Sequence, residues 1–169
     1  VAPQASVIGP MAEVVFRSTQ YLSDADARAM AVYLQALPQH AATPAKQAAA
    51  PASVMERGAK VYEAQCAQCH GAQGQGAKDE AGQPAFPPLA GNRAVVLADP
   101  TNLVRVVLQG GYLPATAGNP RPHGMPPFQH LLGDEDVAAV TTFVRNSWGN
   151  QAAGVGTIEV YRARERRTP

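Results

Sequence analysis

The chain has 169 residues and a mass of about 17.7 kDa, enough for one ordinary domain with extensions. A hydrophobic share of 46% against 16% charged residues excludes a disordered chain, and a formal net charge of +1 gives no reason to propose nucleic acid as a partner. No apolar run approaches the ~20 residues that span a bilayer. Gly 15 and Pro 15 exceed ordinary usage, so much of the chain is expected to be loop.

Four stretches separate by composition. Residues 1–37 carry a helical pattern, and residues 38–53, PQHAATPAKQAAAPAS, read as a Pro/Ala-rich linker. Residues 54–149 hold both cysteines and the best periodic segments, and residues 150–169 form a C-terminal tail. Segment 53–65 opens with Ser53 and Glu56 at capping-box spacing, with Val54, Gly58, Val61 and Tyr62 on its inner face. Segment 99–109 has Asp99 as its cap, Pro100 at its first position, and a stop at Gly110 and Gly111. Segment 134–148 starts on Asp134, Glu135 and Asp136, which suit the positive end of a helix. Its buried stripe is Val137, Val140, Phe143, Val144 and Trp148. Long Gly/Pro loops, 71–92 and 110–130, lie between these helices. No stretch alternates with a two-residue period, so the fold class is all-α with irregular loops.

A degenerate repeat joins the two ends. Residues 22–34, LSDADARAMAVYL, match residues 132–144, LGDEDVAAVTTFV, at Leu22/Leu132, Asp24/Asp134, Asp26/Asp136 and Ala29/Ala139. Each copy has a methionine upstream, Met11 and Met125. The repeat suggests that residues 1–37 are the back end of a second domain of the same kind. Its apolar face, Met30, Tyr33, Leu34 and Leu37, would then need the intact domain or a partner chain to cover it.

The chemistry is carried by Cys66-Ala67-Gln68-Cys69-His70, the C-x-x-C-H pattern of c-type haem attachment. Two thiols three positions apart can each add across a haem vinyl group, and the next residue presents an imidazole to the iron. A redox-active dithiol would need a βαβ setting, and a zinc site would need two more ligands. Candidates for the second axial position are Met125, His123 and His130, and more distantly Met11, Met30, Met55 and His40. Met125 is favoured because it sits in HGMPPF, where the following proline stiffens the loop that presents sulfur to iron. Asn92, Arg93, Tyr112, Arg121 and Trp148 are candidate donors to the haem propionates, and Leu89, Leu103 and Val107 a candidate apolar wall.

GAKVYEAQCAQCHGAQGQG, FPPLAGN, DPTNLVRVVLQGG, MPPF and LGDEDVAAVTTFVRNSWGN together resemble a mono-haem cytochrome c domain. More narrowly they resemble the last domain of the multi-haem cytochrome c subunits of bacterial membrane-bound periplasmic dehydrogenases. These serve alcohol, gluconate and sugar dehydrogenases, with relatives on molybdenum hydroxylases. The resemblance implies the cytochrome c fold, one covalent haem c on Cys66 and Cys69, His70 and Met125 as axial ligands, and Pro87 as carbonyl acceptor for the His70 ring. It implies Leu89 as a haem-wall residue, and a crossing of Gly58 and Tyr62 with Val140 and Phe143. It also implies that residues 11–37 end a preceding haem domain, with Met11 at its axial position. No C-x-x-C-H precedes Met11, so one haem is expected here.

The function so implied is electron transfer from a dehydrogenase catalytic subunit to an acceptor such as a quinone or another cytochrome. The alternatives are a peroxidase-like enzyme or ligand sensor with a displaceable Met125, and a docking module whose haem is incidental. The periplasm is the expected compartment, and residues 1–20 lack a signal-peptide pattern, as a processed or truncated chain would. The arginine-rich tail, Arg162, Arg164, Arg166 and Arg167, is expected to be a solvated terminus, or a short basic helix against lipid or a partner.

Overall fold

The computed structural model describes residues 5–38, 49–80, 82 and 84–165. Most of the linker, with His40, and Arg166 and Arg167 of the tail therefore lie outside the described residues. The helices in chain order are α1 (Pro10–Arg17), α2 (Asp24–Ala36), α3 (Ala52–Gln65), α4 (Ala67–His70), α5 (Thr101–Gln109), α6 (Asp134–Arg145) and α7 (Thr157–Glu165). A single 3-10 turn, Thr19–Tyr21, joins α1 to α2. Two short antiparallel pairs interrupt the all-α expectation. β1 (Ala77–Lys78) pairs with β2 (Pro84–Phe86), and β3 (Gly111–Tyr112) with β4 (Gly124–Met125). Strands of two and three residues are too short to show a period in sequence.

The architecture is built on the crossing of α3 and α6. Gly58 faces the backbone of Ala139, and a Cβ there would come within 2.6 Å of the Phe143 Cβ. Without a side chain at that point the two helices approach closely. Tyr62, Phe143 and Trp148 fill the crossing, with ring centroids 4.9–5.6 Å apart, a spacing favourable for aromatic pairs.

Two apolar clusters flank this crossing. One gathers Tyr62, Val95, Val140 and Val144, with Cys66, Leu89, Leu103 and Trp148 packed on it. The other gathers Val104, Leu108, Val137, Val155, Val160 and Ala163, with Val107 and Leu132 against it. Helix α7 contributes Val160 and Ala163 to the second cluster, so residues 157–165 are docked on the domain and not a solvated end.

The expected helix starts hold, with local differences. Pro100, not Asp99, is the N-cap of α5, so Pro100 is not the first helical residue; Asp99 lies one position further out, its Oδ1 accepting from the Thr101 N–H at 2.9 Å. Ser53 does not cap α3, because the helix begins at Ala52 behind Pro51 and Ser53 already lies in the first turn. Helix α6 ends at Arg145, short of the expected 148, because Asn146 leaves helical geometry and Trp148 takes a φ of 55°.

The two copies of the repeat start on their matched residues, α2 at Asp24 and α6 at Asp134. Their surroundings differ. Helix α6 is buried along most of its length, whereas α2 has no buried residue. Its face of Met30, Tyr33, Leu34 and Leu37 is exposed. Contact between the N-terminal segment and the domain comes instead through residues 5–20. Ala5, Val7 and Val15 line a small cavity of about 190 Å³ with Leu113, Pro114, Thr116 and Asn119.

Candidate haem site

Helix α3 delivers the cysteines. Its last turn closes with the Cys66 N–H on the Tyr62 carbonyl at 2.9 Å. The chain then winds into the single turn α4, where the Cys69 and His70 N–H groups both bond to the Cys66 carbonyl. Cys66, Cys69 and His70 are thereby presented from one turn. Both thiols are free and half-buried. Burial, with the neighbouring Cys69 as a smaller cause, pushes the Cys66 thiol up to about 11. That is opposite to the activated thiolate of a redox dithiol.

His70 is buried, and its Nδ1 lies 2.9 Å from the carbonyl oxygen of Pro87. The carbonyl can only accept, so Nδ1 carries the proton and Nε2 holds a free lone pair. Burial lowers the His70 pKa and the Pro87 bond opposes that. The result is a neutral imidazole with a fixed ring, the form that binds iron.

The loop after His70 is held tightly. The Tyr62 hydroxyl donates to the Gly71 carbonyl at 2.6 Å. The Gly76 N–H bonds to the His70 carbonyl at 2.7 Å, and the Leu89 and Ala90 N–H groups share the Gly74 carbonyl. The Trp148 ring covers Gly74 so closely that a side chain there would meet it.

Met125 arrives on β4. Register places it opposite Gly111, and Gly124 opposite Tyr112, whose exposed ring lies across Gly124. Just beyond, the Phe128 and Gln129 N–H groups bond to the Val107 and Leu108 carbonyls at the end of α5. The segment thus satisfies carbonyls that a helix end leaves open and is fixed by them.

The other sequence candidates fall as follows. Leu89 and Leu103 meet in the cluster that also packs Cys66, while Val107 faces the neighbouring cluster. The Asn92 amide donates to the Pro88 carbonyl at 2.9 Å and to the Ser6 hydroxyl of the N-terminal segment at 3.4 Å, and accepts from the Ala94 N–H. Arg93, Arg121 and His130 are exposed, and Trp148 is half-buried. Met11 and Met30 are exposed, and Met55 is half-buried on α3. His123 is also exposed and stacks on Phe86, with ring centroids 4.7 Å apart.

Three residues with structural roles here were missed by sequence reasoning. The Phe86–His123 contact ties the loop of Pro87 to the loop of Met125. Asn150, buried beyond α6, donates to the Leu89 and Val144 carbonyls and accepts from the Gly91 N–H. Arg145, 1% exposed, donates to the carbonyls of Val95, Leu97 and Ala153. The only signal was a run of polar residues, RNSWGN, closing an apolar helix.

Two free thiols beside a buried imidazole with its Nε2 unspent, backed by an apolar wall, fit a covalently attached haem. The fold and site define a mono-haem cytochrome c domain. Comparison with known proteins agrees: the cytochrome c family model matches residues 55–148. The chain belongs to the cytochrome c family. Its cofactor is a covalent haem c.

Among relatives, the chain is 40% identical over 160 residues to the cytochrome c subunit of an alcohol dehydrogenase (quinone) of Gluconobacter oxydans, covering 88% of this chain and 32% of that one. It is 36% identical over 162 residues to a gluconate 2-dehydrogenase cytochrome c subunit of Pantoea cypripedii, covering 91% of this chain and 36% of that one. It is 38% identical over 96 residues to a cytochrome c-552 of Thermus thermophilus, covering 55% of this chain and 69% of that one. The chain spans about a third of the length of the dehydrogenase subunits it matches.

Proposed function

We propose that the protein relays single electrons from the catalytic subunit of a periplasmic dehydrogenase toward the respiratory chain, its haem held by Cys66 and Cys69 and ligated by His70 and Met125. The observation that carries this reading is the Nδ1–Pro87 bond, which leaves Nε2 of a neutral, buried His70 for the iron. The haem, when bound, supplies a one-electron ferric–ferrous couple.

The protein's own groups do the rest. Cys66 and Cys69 anchor the group, and Pro87 orients the proximal ring. The β3–β4 pair and the end of α5 hold the Met125 backbone, from which a thioether favours the reduced state. Leu89, Leu103 and Val95 exclude water from the wall. Asn92, Tyr112 and Val107 complete the proposed pocket.

The comparisons also bear on the N-terminal segment. The match to the dehydrogenase subunits runs over nearly the whole chain, whereas the match to cytochrome c-552 covers 55% of it. This supports residues 1–37 as the end of a preceding haem domain, joined by the linker at 38–53 to the domain at 54–149 and followed by the C-terminal segment 150–169. The proposed setting is the outer face of the cytoplasmic membrane. Among the described residues no helix is long and apolar enough to cross a membrane.

The test is spectroscopic. The ferric protein should show the weak methionine–iron charge-transfer band, and the ferrous protein should not bind carbon monoxide. A missing band with carbon monoxide bound would overturn the ligation. Intact mass should show one haem. Rapid haem reduction on mixing with a dehydrogenase catalytic subunit and its substrate would support the relay, and inertness toward every such subunit would sink it.

A further inference from the structure

Arg145 is the one fully buried cation of the described core, and the electron-transfer reading does not use it. Its side chain leaves the last turn of α6 and ends against three main-chain carbonyls, at 2.8 Å from Val95, 2.9 Å from Leu97 and 2.7 Å from Ala153. Among the described residues no carboxylate lies within ion-pair distance of it. Glu159 acts on it only through space and is exposed.

A guanidinium stays charged in any such site, so the core holds a permanent positive charge with no ion-pair partner among the described residues. Three neutral carbonyls could also be satisfied by a neutral donor, though less strongly. A charge is therefore more than the hydrogen bonds require, and a buried one carries a desolvation cost. Its location gives it a use. Val95, whose carbonyl it holds, belongs to the same cluster as Leu89, Leu103, Tyr62 and Cys66.

We propose that Arg145 is a potential-setting residue, a fixed positive charge behind the haem wall that favours the ferrous over the ferric state. The inference rests on the haem site proposed above. Ferric haem carries one more positive charge than ferrous haem, so a nearby cation in a poorly screened interior opposes oxidation. Salt reaches buried charges weakly, so the effect should persist at high ionic strength.

The test uses the haem-loaded full chain and reads the midpoint potential by redox titration. Arg145→Gln should lower the potential by an amount equivalent to about a tenfold change in the electron-exchange equilibrium, ~59 mV for a one-electron couple. The drop should survive high salt. Arg145→Lys keeps the charge and should stay near the parent. Arg162→Gln, which removes an exposed α7 charge, should have little effect at high salt.

A folded Arg145→Gln with the parental potential would overturn the proposal. So would equal drops in the Gln and Lys variants, since charge would then not be the cause. If Arg145→Gln does not fold, Ala153→Asp decides, because residue 153 is exposed and its carbonyl already touches the guanidinium. The aspartate should lower the potential relative to Ala153→Asn, and equality of the two would overturn the idea. Failure of the ligation reading is separate, because it appears as a missing methionine–iron band in the parent protein.

Discussion

The α-carbon of Gly110 backs directly onto the carbonyl oxygen of Met125, leaving no space for a side chain between them. Gly110 also sits at φ 69°, where L-residues are strained. It therefore does two jobs at once, ending α5 and setting the depth of the β4 segment. Gly110→Ala should cost about 1–3 kcal/mol and push Met125 outward. The expected spectrum is a weakened methionine–iron band with new carbon monoxide binding by the ferrous form. An unchanged band would show that the Met125 segment is positioned by β3 and the α5 carbonyls alone.

Gly58 makes a comparable contact at the crossing of α3 and α6. A methyl group there would strike the Ala139 carbonyl and approach the Phe143 Cβ at 2.6 Å. Gly58→Ala should destabilise the protein by about 1–3 kcal/mol or more, read by guanidinium unfolding. Because the nearest obstacle is main chain, trimming Phe143 to Ala should not restore stability. Rescue by that second change would mean that the aromatic ring, not the helix backbone, sets the approach.

How much of this was legible depended on how local each device is. Covalent attachment needs contiguous residues, so Cys66, Cys69 and His70 stood out at once. Asp99 and Asp134 marked helix starts because dipole and capping chemistry act within one turn. Ser53 misled because a one-residue shift of the start, to Ala52 behind Pro51, moves a cap into the helix. Arg145 and Asn150 left only the polar run RNSWGN, because partners such as the Val95 and Leu89 carbonyls are distant in sequence. A short helix in the tail was one of two sequence alternatives, but its docking on the domain was missed because only Val160 and Ala163 are buried among arginines and glutamates, too thin a stripe to register.

Tyr62 makes the stability sensitive to alkali. Burial is the main cause that raises its hydroxyl from 10.0 to about 12, the neighbouring Cys66 thiol is a smaller cause that a thioether would remove, and the proton is engaged with the Gly71 carbonyl at 2.6 Å. The unfolded chain loses this proton near pH 10 and the folded chain only near 12, so the unfolded state binds fewer protons between them. Stability is therefore intact below pH 10 and falls as pH rises toward 12, by about 2 kcal/mol. Denaturant titrations at pH 8, 10 and 11.5 would measure it. Tyr62→Phe should start about 1 kcal/mol lower at pH 8, having lost the hydrogen bond, yet decline less with alkali. Parallel slopes for the two proteins would assign the alkaline loss to another group.

Arg164 fastens α7 to the turn that follows the Met125 segment. Its guanidinium meets Asp134 at 2.9 Å, the Gln129 carbonyl at 2.5 Å and the Leu132 carbonyl at 3.1 Å. Gln129 is itself bonded through its N–H to the end of α5. One side chain thus joins the C-terminal helix, the start of α6 and the chain leading from Met125. Asp134 and Arg164 are only about a quarter to a third exposed, at 30% and 26% of their side-chain surface, so the pair is better sheltered than a surface ion pair. Arg164→Ala should cost about 1–3 kcal/mol, the range for hydrogen bonds to a charged group. Arg164→Lys should recover only part, since an ammonium cannot span all three acceptors in the guanidinium's planar fork. Asp134→Asn should cost less than Arg164→Ala because both carbonyl bonds remain. A neutral Arg164→Ala, measured by thermal or guanidinium unfolding, would mean that Val160 and Ala163 hold α7 by burial alone.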